Sequence, residues 1–131
     1  MKTDEDLKKE NLELYHVAKQ GGTEPPFSGK YYKYDEKGMY SCAVCANPLF
    51  PSTAKFHSDL PGLAGWPSFD DVLPNAVEYK QDDSYGMHRT EVVCAKCKSH
   101  LGHLFDDQEA KTGKHFCLNS VCLEFNKEDN N

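Results

Sequence analysis

The sequence has 131 residues, of which 15 are basic and 21 acidic, and its formal net charge is −6 at pH 7. A chain of this length suits one domain with an ordinary hydrophobic core, so we expect a single domain over residues 1–131. The acidic balance gives no electrostatic reason to bind nucleic acid or an anionic membrane, because affinity for polyphosphate begins with a basic face.

The start of the chain predicts an N-terminal helix within residues 1–21. Thr3 can cap this helix together with Asp6 three residues later, apolar side chains recur at helical spacing, and two consecutive glycines follow. The sequence has no apolar run long enough to cross a bilayer, and its acidic first residues lack the apolar core of an export signal. We therefore expect a cytoplasmic protein.

Residues 22–125 predict a core of short β-strands. A proline-rich connector at 23–29 comes first, and glycine, proline and paired aspartates separate the runs that follow. The predicted strands are 31–34, 38–42, 76–79, 86–94, 104–106, 115–119 and 121–125. This pattern favours a mainly β fold with antiparallel sheets, followed by a polar tail at 126–131.

Four of the six cysteines form two Cys-x-x-Cys pairs, Cys42/Cys45 and Cys94/Cys97. Two such pairs supply the four thiolates of a closed tetrahedral Zn²⁺ site, which is typical of structural zinc. Iron also accepts four thiolates, and two redox-active pairs or unliganded buried cysteines are the remaining alternatives. The sequence thus predicts one structural zinc per chain, which joins two distant parts of the sheet.

Cys117 and Cys122 lie outside these pairs. His100 and His103 precede Cys117, and Asn119 follows it. A cysteine with histidines nearby is typical of thiol chemistry, in which an imidazole exchanges protons with the thiol or the substrate. The alternatives are an inert buried thiol and histidines that serve as core residues or metal ligands.

Five features in the same order along the chain resemble the methionine-R-sulfoxide reductase B (MsrB) family. They are the segments 22–29 (GTEPPFSG), 65–69 (GWPSF), 100–105 (HLGHLF) and 116–120 (FCLNS), together with the two Cys-x-x-Cys pairs. The resemblance implies a zinc-bearing fold of antiparallel sheets, of the MsrB or Mss4-like (β-tent) type, with an N-terminal helix. It also implies a peptide-methionine (R)-S-oxide reductase that repairs oxidised proteins during oxidative stress, with thioredoxin or another thiol as reductant.

The same resemblance implies roles for individual residues. Cys117 is the nucleophile that becomes a sulfenic acid, and His103 and His100 orient and protonate the sulfoxide oxygen. Asn119 is a hydrogen-bonding residue that orients these groups. The implied substrate-binding residues are Trp66, against the S-methyl group, Phe105 and His115.

Three features depart from the family's pattern. Residues 59–64 contain what resembles a four-residue insertion beside the pocket, without the resolving cysteine that many relatives carry there. His115 stands where arginine is common, so positive charge near the thiolate depends on pH or comes from Lys114. Cys122 stands where serine is more common, which makes it a candidate resolving cysteine. Its alternative is a small buried residue, with an external thiol reducing the sulfenic acid directly, since five residues along a strand are too far for a disulfide unless the chain bends.

Three other functions fit part of the pattern. A zinc-stabilised β-domain can act as a binding module without a reactive cysteine. An enzyme with the same chemistry can act on free methionine sulfoxide, and a disulfide oxidoreductase would need one Cys-x-x-Cys pair without zinc. The resemblance favours action on proteins containing methionine-R-sulfoxide. We expect a monomer, because no amphipathic stretch is left over for an interface.

Overall fold

A computed structural model of the chain describes residues 1–128, and within them two α-helices precede nine β-strands. The strands form two antiparallel sheets, which confirms the predicted fold class. None of the helices in the described part of the chain is both long and apolar enough to cross a membrane. The last three residues of the predicted polar tail, 129–131, lie outside the described residues.

The predicted N-terminal helix is two helices, α1 (Asp4–Glu10) and α2 (Leu12–Gln20). Thr3 caps α1 as expected: its hydroxyl accepts from the backbone N of Asp6 at 3.2 Å, and the Asp6 carboxylate accepts from the backbone N of Thr3 at 3.1 Å. The break falls at Asn11, whose backbone is not helical and whose side chain caps α2. A polar residue that competes for backbone hydrogen bonds therefore interrupts the apolar periodicity.

The strands alternate with short connections along the chain. They are β1 (Gly38–Cys42), β2 (Pro48–Pro51), β3 (Lys55–Phe56), β4 (Ser68–Phe69), β5 (Val77–Asp82), β6 (Arg89–Cys94), β7 (His100–Asp106), β8 (Lys114–Leu118) and β9 (Leu123–Lys127). The smaller sheet has the order β2-β1-β9, and the larger sheet has the order β3-β4-β8-β7-β6-β5. Strand β9 extends through Lys127, so the start of the expected polar tail belongs to the smaller sheet.

A cluster of aromatic rings lies at the centre of the core, where the two sheets meet. Phe50 of β2 stacks on Phe69 of β4 at 4.7 Å between ring centroids, and Tyr40 of β1 meets the same ring edge-on at 5.1 Å. Phe116 of β8 contacts Phe50 at 5.5 Å. All four side chains are almost fully buried, so this contact holds the sheet that carries the candidate site against its partner sheet.

The predicted strand at 31–34 is a turn. The backbone N of Tyr34 donates to the carbonyl of Tyr31 at 3.2 Å, and the Tyr31 ring is buried against Tyr40 rather than arranged along a sheet. Aromatic side chains favour strands, but here their burial in the core fixes the local conformation.

Candidate active site and metal centre

The larger sheet brings the predicted nucleophile beside a histidine. Cys117 on β8 pairs with His103 on β7 and with Ser68 on β4. Residues directly opposite each other in antiparallel strands face the same side of the sheet. The Cys117 thiol and the His103 imidazole therefore share one face.

A β-bulge in β7 places both histidines of this strand on one side. Val92 pairs with Gly102, but Val93 pairs with His100, so Leu101 is an extra residue in the ladder. In a regular strand, residues three apart face opposite sides, and one extra residue reverses this relation. The ring centroids of His100 and His103 are accordingly 5.4 Å apart.

A cavity with a volume of about 60 Å³ opens beside Cys117. Of the residues predicted from the sequence, it is lined by Cys117, His103, Asn119, Trp66 and Phe105. A cavity of this size holds a few small groups, which suits the tip of one side chain. We name it the Cys117 cavity.

Burial keeps the Cys117 thiol protonated. The side chain is half-buried, and its Sγ lies 3.9 Å from the carbonyl oxygen of Leu63. Burial and, secondarily, the negative charge of Glu24 raise the pKa of Cys117 to about 12. A thiolate at neutral pH therefore requires a proton acceptor nearby or a change in surroundings when substrate binds.

The protonation of His103 is set by Asp82. Nε2 of His103 lies 2.7 Å from Oδ2 of Asp82. Hydrogen bonds from Ser84 and His103 hold the pKa of Asp82 well below its usual range. An ionised carboxylate only accepts hydrogen bonds, so Nε2 carries a hydrogen. Burial lowers the pKa of His103, partly offset by the Asp82 bond, and Nδ1 in the neutral ring is a proton acceptor.

Trp66 and Asn119 are fixed through the connector that contains Glu24. The Trp66 indole N–H donates to the Glu24 carbonyl at 3.0 Å. The backbone N of Glu24 donates to Oδ1 of Asn119 at 2.9 Å, and Nδ2 of Asn119 donates to the carbonyl of Leu101 at 3.1 Å. The Asn119 amide thus joins the connector to the bulge of β7, beside the cavity wall.

His115 faces the same side of the sheet as Phe105 but does not line the Cys117 cavity. Its side chain has no exposed surface, Nδ1 lies 2.9 Å from Oδ2 of Asp107, and Nε2 lies 2.7 Å from Oγ of Ser68. Burial alone would raise the pKa of Asp107, but hydrogen bonds from His115 and backbone amides lower it overall. The predicted direct contact between His115 and substrate does not fit this burial. The structure instead shows a buried hydrogen-bonded chain that ends at the strand neighbour of Cys117.

Two other predicted residues also lie outside the cavity lining. His100 is buried, and its Nδ1 lies 2.7 Å from Oε2 of Glu91. Cys122 is 1% exposed, and its Sγ donates to the carbonyl of His100 at 3.3 Å. Burial raises the pKa of Cys122 well above the ordinary value. The structure therefore brings neither side chain to the reacting end of Cys117.

Arg89 is a charged cavity residue that the sequence analysis did not single out. It lines the Cys117 cavity, and its Nη2 lies 3.4 Å from Oδ2 of Asp82, the oxygen that also accepts from His103. Thr23 lines the same cavity. Arg89 and Asp82 are directly opposite in the β5–β6 pair, a relation that becomes readable once the register of this hairpin is known.

The four paired cysteines meet at one point. Their Sγ atoms, from Cys42, Cys45, Cys94 and Cys97, all lie within 4.8 Å of one another. A tetrahedral Zn²⁺ with bonds of about 2.3 Å requires sulfurs roughly 3.8 Å apart, and the two measured separations are 3.7 and 3.6 Å. Cys42 ends β1 and Cys94 ends β6, so this donor set fits a structural zinc that joins the two sheets.

Comparisons with known proteins place this geometry in a family. The SelR domain matches residues 11–127. Peptide methionine sulfoxide reductase MsrB of Methanosarcina barkeri is 52% identical over 130 residues, which cover 98% of this chain and 89% of that protein. The mitochondrial methionine-R-sulfoxide reductase B3 of Mus musculus is 47% identical over 116 residues, which cover 88% of this chain and 44% of that protein.

A solved structure with a similar fold is the Mis18 "Yippee-like" domain. It superposes with a TM-score of 0.54 over 72% of this chain and 100% of that chain, at 16% sequence identity. This likeness concerns the fold alone and agrees with the β-sheet architecture.

Proposed function

This chain belongs to the MsrB family of peptide methionine sulfoxide reductases, and from this premise we propose that it reduces protein-bound methionine-R-sulfoxide through a thiol mechanism centred on Cys117. Family membership supports the reductase activity. The observation that carries the mechanism is the pairing of Cys117 with His103 on one wall of a small cavity.

The cavity is suited to the methyl sulfoxide group at the tip of the substrate side chain. Trp66 and Phe105 provide its aromatic surface, and the indole is fixed by its bond to Glu24. Contacts between sulfur-bearing groups and aromatic rings contribute about 0.3–1.5 kcal/mol each. They therefore orient the S-methyl group, and the fixed methyl selects the R epimer.

The oxygen passes from the substrate to the enzyme. The Cys117 sulfur attacks the sulfoxide sulfur and forms a sulfur–sulfur bond, while the sulfoxide oxygen takes up the proton released by the thiol. The hydroxyl group then passes to the Cys117 sulfur as the substrate's sulfur–oxygen bond and the new sulfur–sulfur bond both break, and methionine leaves with two more electrons. Cys117 loses these electrons, gains the oxygen and becomes a sulfenic acid, whose hydrogen replaces the one lost by the thiol.

His103 supplies the proton transfer that this step needs. Because Nε2 holds its hydrogen toward Asp82, Nδ1 accepts the thiol proton and then donates it to the sulfoxide oxygen. The resting pair of thiol and neutral imidazole carries the same number of protons as the reacting pair of thiolate and imidazolium. No proton has to enter the cavity before the attack.

An external thiol closes the cycle. Cys122 is buried and bonded to a backbone carbonyl, whereas Cys117 is half-buried and lines an open cavity. These positions support direct reduction of the sulfenic acid by thioredoxin or another thiol. The proposed role of the reaction is repair of oxidised proteins under oxidative stress. The zinc at Cys42, Cys45, Cys94 and Cys97 is structural. A single domain over 1–131, a cytoplasmic location and a monomeric state remain predictions.

The test is turnover of the two epimers of capped methionine sulfoxide with dithiothreitol as reductant. We expect loss of the R epimer alone, and no turnover by a Cys117→Ser variant that retains the fold. If folded, metal-loaded protein consumes neither epimer but binds oxidised peptides, the chain is a binding module.

A further inference from the structure

A second, larger cavity adjoins the Cys117 cavity. Its volume is about 390 Å³, and the Trp66 side chain lines both cavities. The segment 59–64 also divides them, since Leu63 faces the Cys117 cavity and Asp59 and Ala64 face the larger one. We name the larger one the aromatic cavity, because Phe27, Tyr32 and Trp66 line it.

Phe27 forms an exposed aromatic wall in this cavity. Its side chain is 60% exposed, although phenylalanine is among the residues most often buried. Its φ is 62°, a left-handed conformation that is rare for bulky residues and that concentrates at ligand sites. The exposure and the backbone strain both indicate a binding surface.

The surroundings of Phe27 hold the ring in place. Its backbone N donates to the Gly65 carbonyl at 2.8 Å, and a Cβ on Gly65 would lie only 2.9 Å from the same nitrogen. Its ring meets Tyr32 edge-on, with 5.4 Å between centroids and planes 89° apart. The wall is therefore formed before any ligand arrives, which reduces the entropy lost on binding.

We propose that the aromatic cavity binds an apolar or aromatic side chain next to the oxidised methionine in a peptide substrate. This inference rests on the proposed function. A protein substrate continues on both sides of the methionine, and an extended chain advances about 3.3 Å per residue. Because one indole separates the two cavities, a neighbour one or two residues away reaches the second cavity when the sulfoxide occupies the first.

The charges around the aromatic cavity favour an uncharged side chain. Nε2 of His57 lies 2.7 Å from Oδ1 of Asp35, and Nζ of Lys33 lies over the Tyr32 ring at 5.6 Å. Asp59 also lines the cavity and carries a negative charge, whereas Lys33 carries a positive one. The lining thus holds charges of both signs, with Lys33 against Asp35 and Asp59, so a charged neighbour meets a like charge as well as an opposite one, whereas an apolar neighbour buries surface against three rings.

The test compares kcat/KM for capped peptides that carry methionine-R-sulfoxide and either glycine, leucine or phenylalanine one or two residues away on each side. We expect phenylalanine to exceed glycine about five- to tenfold at one of these positions, as partial burial of a ring predicts. Phe27→Ala should bring this ratio to about one. Tyr85→Ala is the matched control, because Tyr85 is 90% exposed at a turn outside the cavity, and it should leave the ratio unchanged.

The outcomes separate this inference from the proposed function. Turnover of capped methionine-R-sulfoxide without any preference for the neighbour overturns the subsite and leaves the reductase mechanism intact. No turnover of any substrate is a failure of the proposed function. If Phe27→Ala does not fold, Tyr32→Ala must abolish the preference, and a preserved ratio overturns the subsite. If Phe27→Ala slows only the recycling of the enzyme by thioredoxin, the aromatic cavity binds the reductant, and the proposed substrate subsite is also overturned.

Discussion

In the mechanism that we propose, Cys117 and His103 are the reacting pair, and their resting state carries no net charge. Burial raises the pKa of the thiol and lowers that of the imidazole, so both groups are neutral over a wide pH range. Transfer of one proton from thiol to imidazole creates the thiolate and the acid together. In this proposal, burial keeps both groups neutral until the proton is transferred.

The pH dependence of kcat/KM for methionine-R-sulfoxide should therefore show a plateau. Between about pH 7 and 10, the Cys117 thiol keeps its proton and the His103 imidazole is neutral, so the pair shares one transferable proton. The fraction of enzyme in the reactive protonation state is therefore constant over this range. Below the lowered pKa of His103, the imidazole binds a second proton and cannot accept the thiol proton, so the rate should fall in acid. Steady-state rates measured from pH 5 to pH 10 check this expectation.

The matched variant for this profile is His103→Gln, which retains a side chain of similar polarity. We expect its kcat/KM at pH 7 to fall by about 10²-fold or more and to rise with pH, because hydroxide must now remove the thiol proton. A wild-type rate that already rises tenfold per pH unit through neutrality would show that His103 takes no part in the transfer.

Cys122 should be dispensable for catalysis. Its Sγ is buried and donates to the carbonyl of His100, away from the Cys117 cavity. Cys122→Ala should keep the wild-type rate with dithiothreitol and lose some stability, about 1 kcal/mol, from the small cavity it leaves. Thermal melting and turnover assays measure both quantities. A variant that accumulates sulfenic acid and slows only with thioredoxin would instead identify Cys122 as the resolving cysteine.

Individual residues illustrate what a sequence can predict about such a site. Cys117, His103 and Trp66 line the cavity as the sequence predicted. They were predictable because their residue types carry the chemistry and because they stand in specific motifs. His115 does not line the cavity, because its imidazole is buried in hydrogen bonds to Asp107 and Ser68. The sequence does not show these bonds, because they depend on strand register and on a loop contact. The position of Arg89 is not readable from the sequence for the same reason, since its relation to Asp82 exists only across the hairpin.

At the scale of elements, the pairing of β7 with β8 positions the reacting groups. Gly102 lies at the centre of this pairing, directly after the bulge and opposite Leu118. A Cβ at this position would lie 2.1 Å from the carbonyl oxygen of Cys117, which belongs to the backbone and cannot turn aside. The close approach of the two strands therefore requires glycine.

Gly102→Ala should destabilise the fold by about 3 kcal/mol or more, because the added methyl group separates the two strands. It should also lower activity by displacing Cys117 from His103. Chemical denaturation and turnover of the R epimer measure the two effects.

Gly113→Ala is the control for Gly102→Ala, since Gly113 has a φ of 80° but open space around its Cβ. It should cost about 1 kcal/mol from backbone strain alone. Equal losses for both variants would contradict the steric role of Gly102.

Strands β1, β5, β6, β8 and β9 were predicted at least in part, because five or more residues carry a readable pattern of β-forming side chains. Of β7, which spans His100–Asp106, the sequence predicted only residues 104–106. Strands β3 and β4 contain two residues each and show no period of their own, and sheet neighbours determine their conformation. The helix boundary at Thr3 was readable from its capping box, whereas the break at Asn11 was hidden within an otherwise helical pattern. Local chemistry is thus visible in the sequence, and pairing between distant segments is not.

At the scale of the molecule, the four-cysteine cluster joins the two sheets at one end, and the aromatic core joins them elsewhere. Binding of structural zinc by such a site contributes about 10 kcal/mol to folding, which is comparable with the whole stability of a small domain. Removal of the metal by a strong chelator should therefore unfold most of the protein at 25 °C.

Circular dichroism and metal analysis test this expectation. We expect one zinc per chain before chelation, loss of ordered structure afterwards, and recovery when zinc is returned. Cys94→Ser should reproduce the effect of the chelator. A metal-free protein with the same melting temperature would contradict a structural role for the cluster.

The most direct test of the mechanism is a single turnover without reductant, followed by mass spectrometry of the peptides that contain Cys117 and Cys122. Our account predicts that one equivalent of the R epimer yields one equivalent of methionine and a gain of about 16 Da, trapped by a sulfenic-acid reagent, on Cys117 alone. Methionine formation with Cys117 unmodified and no disulfide formed would contradict the central role of this thiol.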